Sequence, residues 1–271
     1  MRSVFFLSNR TAITAETLGH SLLAQFEGLQ YREFTVPYVD SRDKAASVAQ
    51  QIDRAAAQDA NRPIVFSTLA NPDIRALILA SHGLVLDLFH QFLQPLETEL
   101  EIKPRERAER SHRLVDVHRY ESRMEAINFA LLHDDGAYTQ QYDQSDIILI
   151  GVSRSGKTPT CLYLALQFGI RAANYPITEE DLGQGVLPRM LRLYVGKLYG
   201  LTTTPERLQS IRTARRPGSR YASIEQCRYE IRAVEDLYKA KGIPFLATTT
   251  RSVEEIATRI VQERGLQRHS Y

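Results

Sequence analysis

Lys157 and Thr158 close the stretch GVSRSGKT, residues 151–158, in which Gly151, four residues, and then Gly156, Lys157 and Thr158 complete the pattern G-x-x-x-x-G-K-[ST]. These residue types at this spacing suit the holding of phosphate. Glycine lets a backbone turn tightly with its N–H groups pointing inward, a lysine meets terminal phosphate oxygens, and a threonine hydroxyl can ligate Mg²⁺. Val152, Ser153, Arg154 and Ser155 fill the loop, and Arg154 offers a second cation. Phosphoryl transfer is mostly positioning and charge stabilisation, so Lys157 and Arg154 are the candidate catalytic cations and Thr158 the candidate metal contact.

Such a loop works only if a strand delivers it and a helix follows it. The apolar QSDIILI before it reads as a buried strand, and TPTCLYLALQF after it reads as a helix whose N-terminal end adds positive potential. Upstream, VFFL, YREFTVPYV, PIVFST and GLVLDLF are strand candidates. They alternate with the helical stretches TAETLGHSLLAQF, SRDKAASVAQQIDRAAAQDA and NPDIRALILASHG, where Asn71 can cap and Pro72 can sit in the first turn. Repeated βα units predict an α/β protein with a mostly parallel sheet. The charged, proline-containing EIKPRERAERSHR reads as an exposed connector. The expected organisation is an N-terminal α/β domain over 1–100 and a P-loop kinase-like α/β domain over 101–271.

The acid that would partner the metal or take a proton is harder to place. Asp87 ends GLVLD and reads as a strand-end residue, with metal contact as the alternative. Asp134 and Asp135, in HDDG, fall where a helix should end, an unfavourable place for an acid, so a metal or general-base role competes with a solvated turn. Asp135 is taken as the candidate base. IRTARRPGSRYAS gathers Arg212, Arg215, Arg216 and Arg220 around Pro217 and Gly218, either as a solvated helix end or as a segment that grips phosphate, since arginine forks match phosphate oxygens. Lys197 reads as a helix-surface lysine, and Ser252 with Glu255 as a capping box.

The chain carries 34 basic and 32 acidic residues, a formal net charge of +2, so no global field points to nucleic acid or a membrane surface. No apolar run approaches a membrane span, and MRSVFFLSNRT lacks the longer apolar core of a secretory leader, so a cytoplasmic location is expected. Cys161 and Cys227 lack metal-like spacing and read as free thiols.

Beyond the loop, GVSRSGKTPTCLYLALQFGIRAANYP resembles the signature of the pyruvate, phosphate/water dikinase regulatory proteins, the bifunctional kinase/pyrophosphorylases. TAITAETLGHSLLAQF, HDDG, LYGLTTTPERLQSIR, SRYAS and SVEEIATRI extend the resemblance over almost the whole chain. It implies a protein kinase that uses ADP to phosphorylate an active-site threonine of a dikinase and releases AMP. It also implies the reverse switch, in which inorganic phosphate attacks the phosphothreonine and pyrophosphate leaves. The bacterial branch acting on phosphoenolpyruvate synthase is the closer match, with pyruvate, phosphate dikinase the alternative target. Arg216 and Arg220 become candidate target-binding residues on this resemblance, and a homodimer is compatible with action on a large partner. Relatives commonly read S-D-G-T near the N-terminus where this chain has Ser8-Asn9-Arg10-Thr11, which weakens a metal role there and leaves a strand-to-helix turn as the simpler reading. A small-metabolite P-loop kinase and a non-catalytic nucleotide-binding regulator are the alternative functions.

Overall fold

Residues 1–59, 61–103, 115–183 and 185–267 are described in a computed structural model of the chain. It divides into two compact units, Met1–Ser111 and His112–Tyr271. The connector expected at 101–113 lies, from residue 104 onward, outside the described residues.

The first unit alternates strand and helix throughout: β1 (Arg2–Leu7), α1 (Ile13–Leu23), β2 (Tyr31–Val36), α2 (Arg42–Gln58), β3 (Ile64–Ser67), α3 (Pro72–Leu79), β4 (Leu84–Asp87) and α4 (Leu88–Leu100). Its sheet is parallel with strand order β2-β1-β3-β4. β1 shows why both faces are covered. Phe5 and Leu7 join Val48, Ile52, Ile74 and Ile78 of α2 and α3 on one side. Val4 and Phe6 meet Ala15, Leu23 and Leu88 of α1 and α4 on the other, as a doubly wound parallel sheet requires.

Local signals set most boundaries. β2 stops before Pro37, which has no N–H for a ladder. Asn71 accepts hydrogen bonds from the Asp73 and Ile74 amides with Pro72 in the first turn. GLVLDLF departs from expectation: the strand ends at Asp87, whose carboxylate accepts from the His90 amide and thereby starts α4 at Leu88. Asp87 also lies 3.5 Å from the Arg75 guanidinium. It therefore acts as a strand-end and capping residue within the first unit, as its position in GLVLD suggested. The Ser8–Thr11 segment is a strand-to-helix turn, with the Arg10 amide donating to the Ser8 hydroxyl at 3.1 Å.

The second unit begins with α5 (Val115–Leu132) and continues through β5 (Ile147–Gly151), α6 (Lys157–Phe168), β6 (Ala172–Pro176), α7 (Glu179–Gly183), β7 (Leu198–Thr202), α8 (Pro205–Arg215), α9 (Ile224–Lys241), β8 (Phe245–Ala247) and α10 (Val253–Arg264). Its strands are parallel in the order β6-β5-β7-β8. Ile148 and Ile150 pack with Leu208 of α8 and Ile231 and Val234 of α9. Ile147 and Leu149 pack with Ala126 of α5, Leu164 of α6 and Ile260 of α10. Ser252 and Glu255 form the reciprocal capping box of α10.

β5 is followed in sequence by β6 on one side and then by β7 on the other. Its carboxyl end is thus the point where strand order reverses, where open α/β sheets form their ligand crevice. GVSRSGKT begins there.

Candidate functional site

Two glycines shape the loop for different reasons. At Gly151 a Cβ would lie 2.5 Å from the Leu201 carbonyl oxygen and 2.7 Å from the Ser155 hydroxyl, so only hydrogen fits between neighbouring strands. Gly156 has open space but adopts φ 92, a left-handed conformation that starts α6. Arg154 is also left-handed, at φ 76, a cost of about 1–3 kcal/mol of the kind found at ligand-holding turns. Its side chain is exposed.

Lys157, by contrast, is 4 % exposed, and its Nζ donates to the Val152 carbonyl at 3.1 Å. Burial drives its pKa down from the usual 10.5 to about 8; the charges of Asp135, Cys161 and Asp134 oppose that shift and Arg212 adds to it. The Ser155 hydroxyl is buried and, among the described residues, has no hydrogen-bond partner. A loop holding an unpartnered hydroxyl and a desolvated amine is poorly satisfied by itself and well satisfied by an acceptor-rich anion.

The two aspartates of HDDG separate. The Thr158 hydroxyl donates to Asp134 Oδ1 at 2.7 Å, and Asn174 Nδ2 donates to the same oxygen at 2.5 Å. Asp135 and Gly136 then take consecutive left-handed conformations, at φ 48 and φ 70, while the Asp135 amide is tied to Asn174 Oδ1 at 3.0 Å. This turn sends the second carboxylate away from the first. Asp135 lines a cavity of about 310 Å³ together with Arg154, Lys157, Thr158, Ile211 and Arg215. The arrangement offers three cations and an acid in one space, with a hydroxyl–carboxylate pair at its wall.

A family profile of kinase/pyrophosphorylases matches residues 4–261. The chain belongs to that kinase/pyrophosphorylase family. A protein of Marinobacter nauticus bearing the name "Putative phosphoenolpyruvate synthase regulatory protein" is 53% identical over 268 residues, which cover 99% of each chain. Proteins with the same name from Pseudomonas fluorescens and Pseudomonas aeruginosa are 52% identical over 267 residues, 98% of this chain and 98% and 97% of theirs. As a member of the kinase/pyrophosphorylase family the protein is a phosphotransferase.

The arginines expected to grip phosphate divide three ways in this kinase/pyrophosphorylase. Arg212 is fully buried and faces inward: it pairs with Glu230 at 2.6 Å and 3.1 Å, donates to the Ser153 and Tyr221 carbonyls, and lies 4.0 Å from the Tyr221 ring centroid. It braces the loop from behind. Arg220 reaches Glu179 at 2.5 Å and lines neither loop cavity. Arg215 and Arg216 remain exposed beside Arg154. Lys197 donates to the Asp143 and Ser145 carbonyls and so tethers two segments of backbone.

Asn174 and Tyr221 were missed from sequence. Asn174 could have been found, because a fully buried asparagine in the strand AANYP needs partners that an apolar neighbourhood does not supply. Tyr221, whose hydroxyl lies 2.9 Å from the Ser153 hydroxyl, carried no such signal. Cys161 and Cys227 are free and buried. Among the described residues, no helix is long and apolar enough to cross a membrane.

The state of Lys157 predicts a pH dependence. Below about 8 its amine is an ammonium suited to pair with phosphate; above that value it is neutral in the free protein. Inorganic phosphate, already mostly dianionic there, is therefore expected to bind metal-free protein more weakly as pH rises through this range, with proton uptake on binding. Calorimetry in buffers of different ionisation enthalpy measures that uptake; heats that do not depend on the buffer would contradict it.

Proposed function

We propose that this phosphotransferase is an ADP-dependent serine/threonine protein kinase and a phosphate-dependent pyrophosphorylase, and that it switches phosphoenolpyruvate synthase off and on. The observation that carries the reading is the loop cavity, where Lys157 and Arg154 face Asp135 in a space of about 310 Å³. The names of relatives matching this chain end to end support the target. A cradle of amides with Lys157 recognises phosphate oxygens, so ADP's diphosphate and free phosphate compete for overlapping positions. One loop can then serve both directions.

In the kinase direction the target's threonine oxygen attacks the β-phosphorus of ADP. The bond from that phosphorus to the bridging oxygen breaks, AMP leaves with the electron pair, and Asp135 takes the hydroxyl proton. Lys157 and Arg154 meet the charge on the moving phosphoryl group. In the reverse direction an oxygen of hydrogen phosphate attacks the phosphothreonine phosphorus, the phosphorus–threonine bond breaks, and pyrophosphate leaves. The proton of hydrogen phosphate passes through Asp135 to the threonine oxygen.

Mg²⁺ fits the same place. Among the described residues no cluster of three or more His, Cys, Asp or Glu could hold a metal alone. Magnesium at nucleotide sites typically takes one or two protein oxygens and completes its shell with phosphate and water. The Thr158 hydroxyl and the Asp134 carboxylate, 2.7 Å apart, supply such hard oxygens and would hold it. Bound there, the ion supplies charge neutralisation for the diphosphate.

Incubating the purified chain with ADP labelled at the β-phosphate and phosphoenolpyruvate synthase tests the reading. Label on a target threonine with release of AMP is expected. Transfer only to a small metabolite, or binding without transfer, rejects it in favour of a metabolite kinase or a non-catalytic regulator. In the same assay Asp135→Asn is expected to slow the kinase direction by roughly 100-fold, the usual range for losing a general base. An unchanged rate would remove Asp135 from that role.

A further inference from the structure

A second cavity, of about 300 Å³, opens beside the first and is lined by Ser153, Arg154, Arg215, Arg216 and Tyr221. Three of its five lining residues are arginines. Among the described residues none of the three has an acidic partner, whereas their neighbours Arg212 and Arg220 are paired to Glu230 and Glu179. The carboxyl end of α8 favours cations and so accounts in part for Arg215 and Arg216. It does not account for Arg154, which comes from the β5–α6 loop in a left-handed conformation. Three unneutralised guanidiniums from two elements around one cavity suit a multiply charged anion with several oxygens.

The two cavities share a wall. Ser153, Arg154 and Arg215 line both, Lys157 and Asp135 line only the first, and Arg216 and Tyr221 line only the second. A phosphoryl group that travels between a donor in the first cavity and an acceptor in the second must cross the residues common to both.

We propose that Arg215 is a catalytic residue that spans the two cavities, and that the second cavity receives the threonine or phosphothreonine side chain of the protein target. The assignment rests on the transfer reading above. In the kinase direction the phosphorus leaves AMP's oxygen in the first cavity and gains the threonine oxygen, which reaches from the second cavity to the shared wall, where Asp135 on the first-cavity side takes its proton. In the pyrophosphorylase direction it leaves the threonine oxygen and gains an oxygen of phosphate. The metaphosphate-like group at mid-transfer is common to both, and the Arg215 guanidinium meets it in both. Phosphate and phosphothreonine are each dianionic, so bringing them together needs cations on both sides, which the shared arginines provide. Arg216, on the far wall, holds the target's phosphate without touching the donor.

Initial rates in both directions, with full-length chain and intact phosphoenolpyruvate synthase, test this. Arg215→Ala is expected to lower kcat on the order of 100-fold or more in both directions, while ADP binding to the enzyme alone weakens by less than about 10-fold. Arg215→Lys should recover only part of the rate, because an ammonium is a point charge and not a fork. Arg216→Ala should raise the KM for the target and largely spare kcat. Arg215 is exposed at a helix end, so thermal unfolding of Arg215→Ala should match wild type. A competent wild type whose Arg215→Ala variant keeps its kcat in either direction overturns this assignment alone. A wild type that moves no label from ADP to the target overturns the transfer reading, and this assignment with it.

Discussion

Lys157→Ala is expected to lower both phosphoryl transfer to the target and pyrophosphate formation by about 100- to 1000-fold. The lysine is 4 % exposed, closes the loop and lines its cavity. Removing one preorganised group of this kind typically lowers turnover about 100- to 1000-fold. On the proposed function both directions should fall together, because ADP's diphosphate and free phosphate would then share the same amides and the same amine. Stability should not fall in parallel. Burial already disfavours the charged amine, as its lowered pKa shows, so the folded state loses no favourable ion pair when Lys157 is replaced. The paired measurement is rate in each direction beside a thermal melt. Pyrophosphate release that survives near the wild-type rate would mean that the two activities do not share this loop.

Arg212→Ala is expected to destabilise the second unit strongly. Its guanidinium is completely buried against Glu230, whose side chain is 10% exposed, at 2.6 Å. Burial opposes the arginine's charge, and the hydrogen bonds and charge of Glu230 outweigh it and raise its pKa. Removing one partner strands the other, which typically costs about 3–5 kcal/mol for a buried pair. Gln226, which donates to Glu230 at 3.0 Å, cannot replace the lost charge. Replacing both members, as Arg212→Leu with Glu230→Leu, should recover much of that stability, since no buried charge remains. It should not recover activity, because Arg212 also holds the Ser153 carbonyl at 3.2 Å and carries Tyr221 against its face. Chemical denaturation beside the transfer assay separates the two effects. A double variant with full activity would show that the brace behind the loop is not needed for catalysis.

Much of the fold could be read from the chain because its signals are local. VFFL and IILI are apolar on both faces, as strands of covered parallel sheets must be, and Asn71, Pro72, Ser252 and Glu255 announce helix starts by chemistry confined to a single turn. GLVLDLF misled over its last two residues because Leu88 and Phe89 suit a strand as well as a helix; the Asp87 cap decided between them. The loop was legible for the same reason as the caps, since its glycines, lysine and threonine act within eight consecutive residues.

Sequence alone determined that residues 151–158 form a strand-to-helix loop, with residue types and spacing that suit phosphate, and resemblance along the chain determined the family. Tertiary structure decided which side chains serve that loop. Asp134 and Asp135 are adjacent in sequence and equivalent in composition, yet two left-handed residues and the Asn174 amide, 39 residues away from Asp135, turn one carboxylate to Thr158 and the other to the cavity. Four arginines lie within nine residues, yet Glu230 and Glu179 neutralise two and leave Arg215 and Arg216 exposed beside Arg154. A residue's type and its near neighbours fix what bonds it can make. Which bonds it does make depends on partners brought close by the sheet and by α8 and α9, and no local pattern records them.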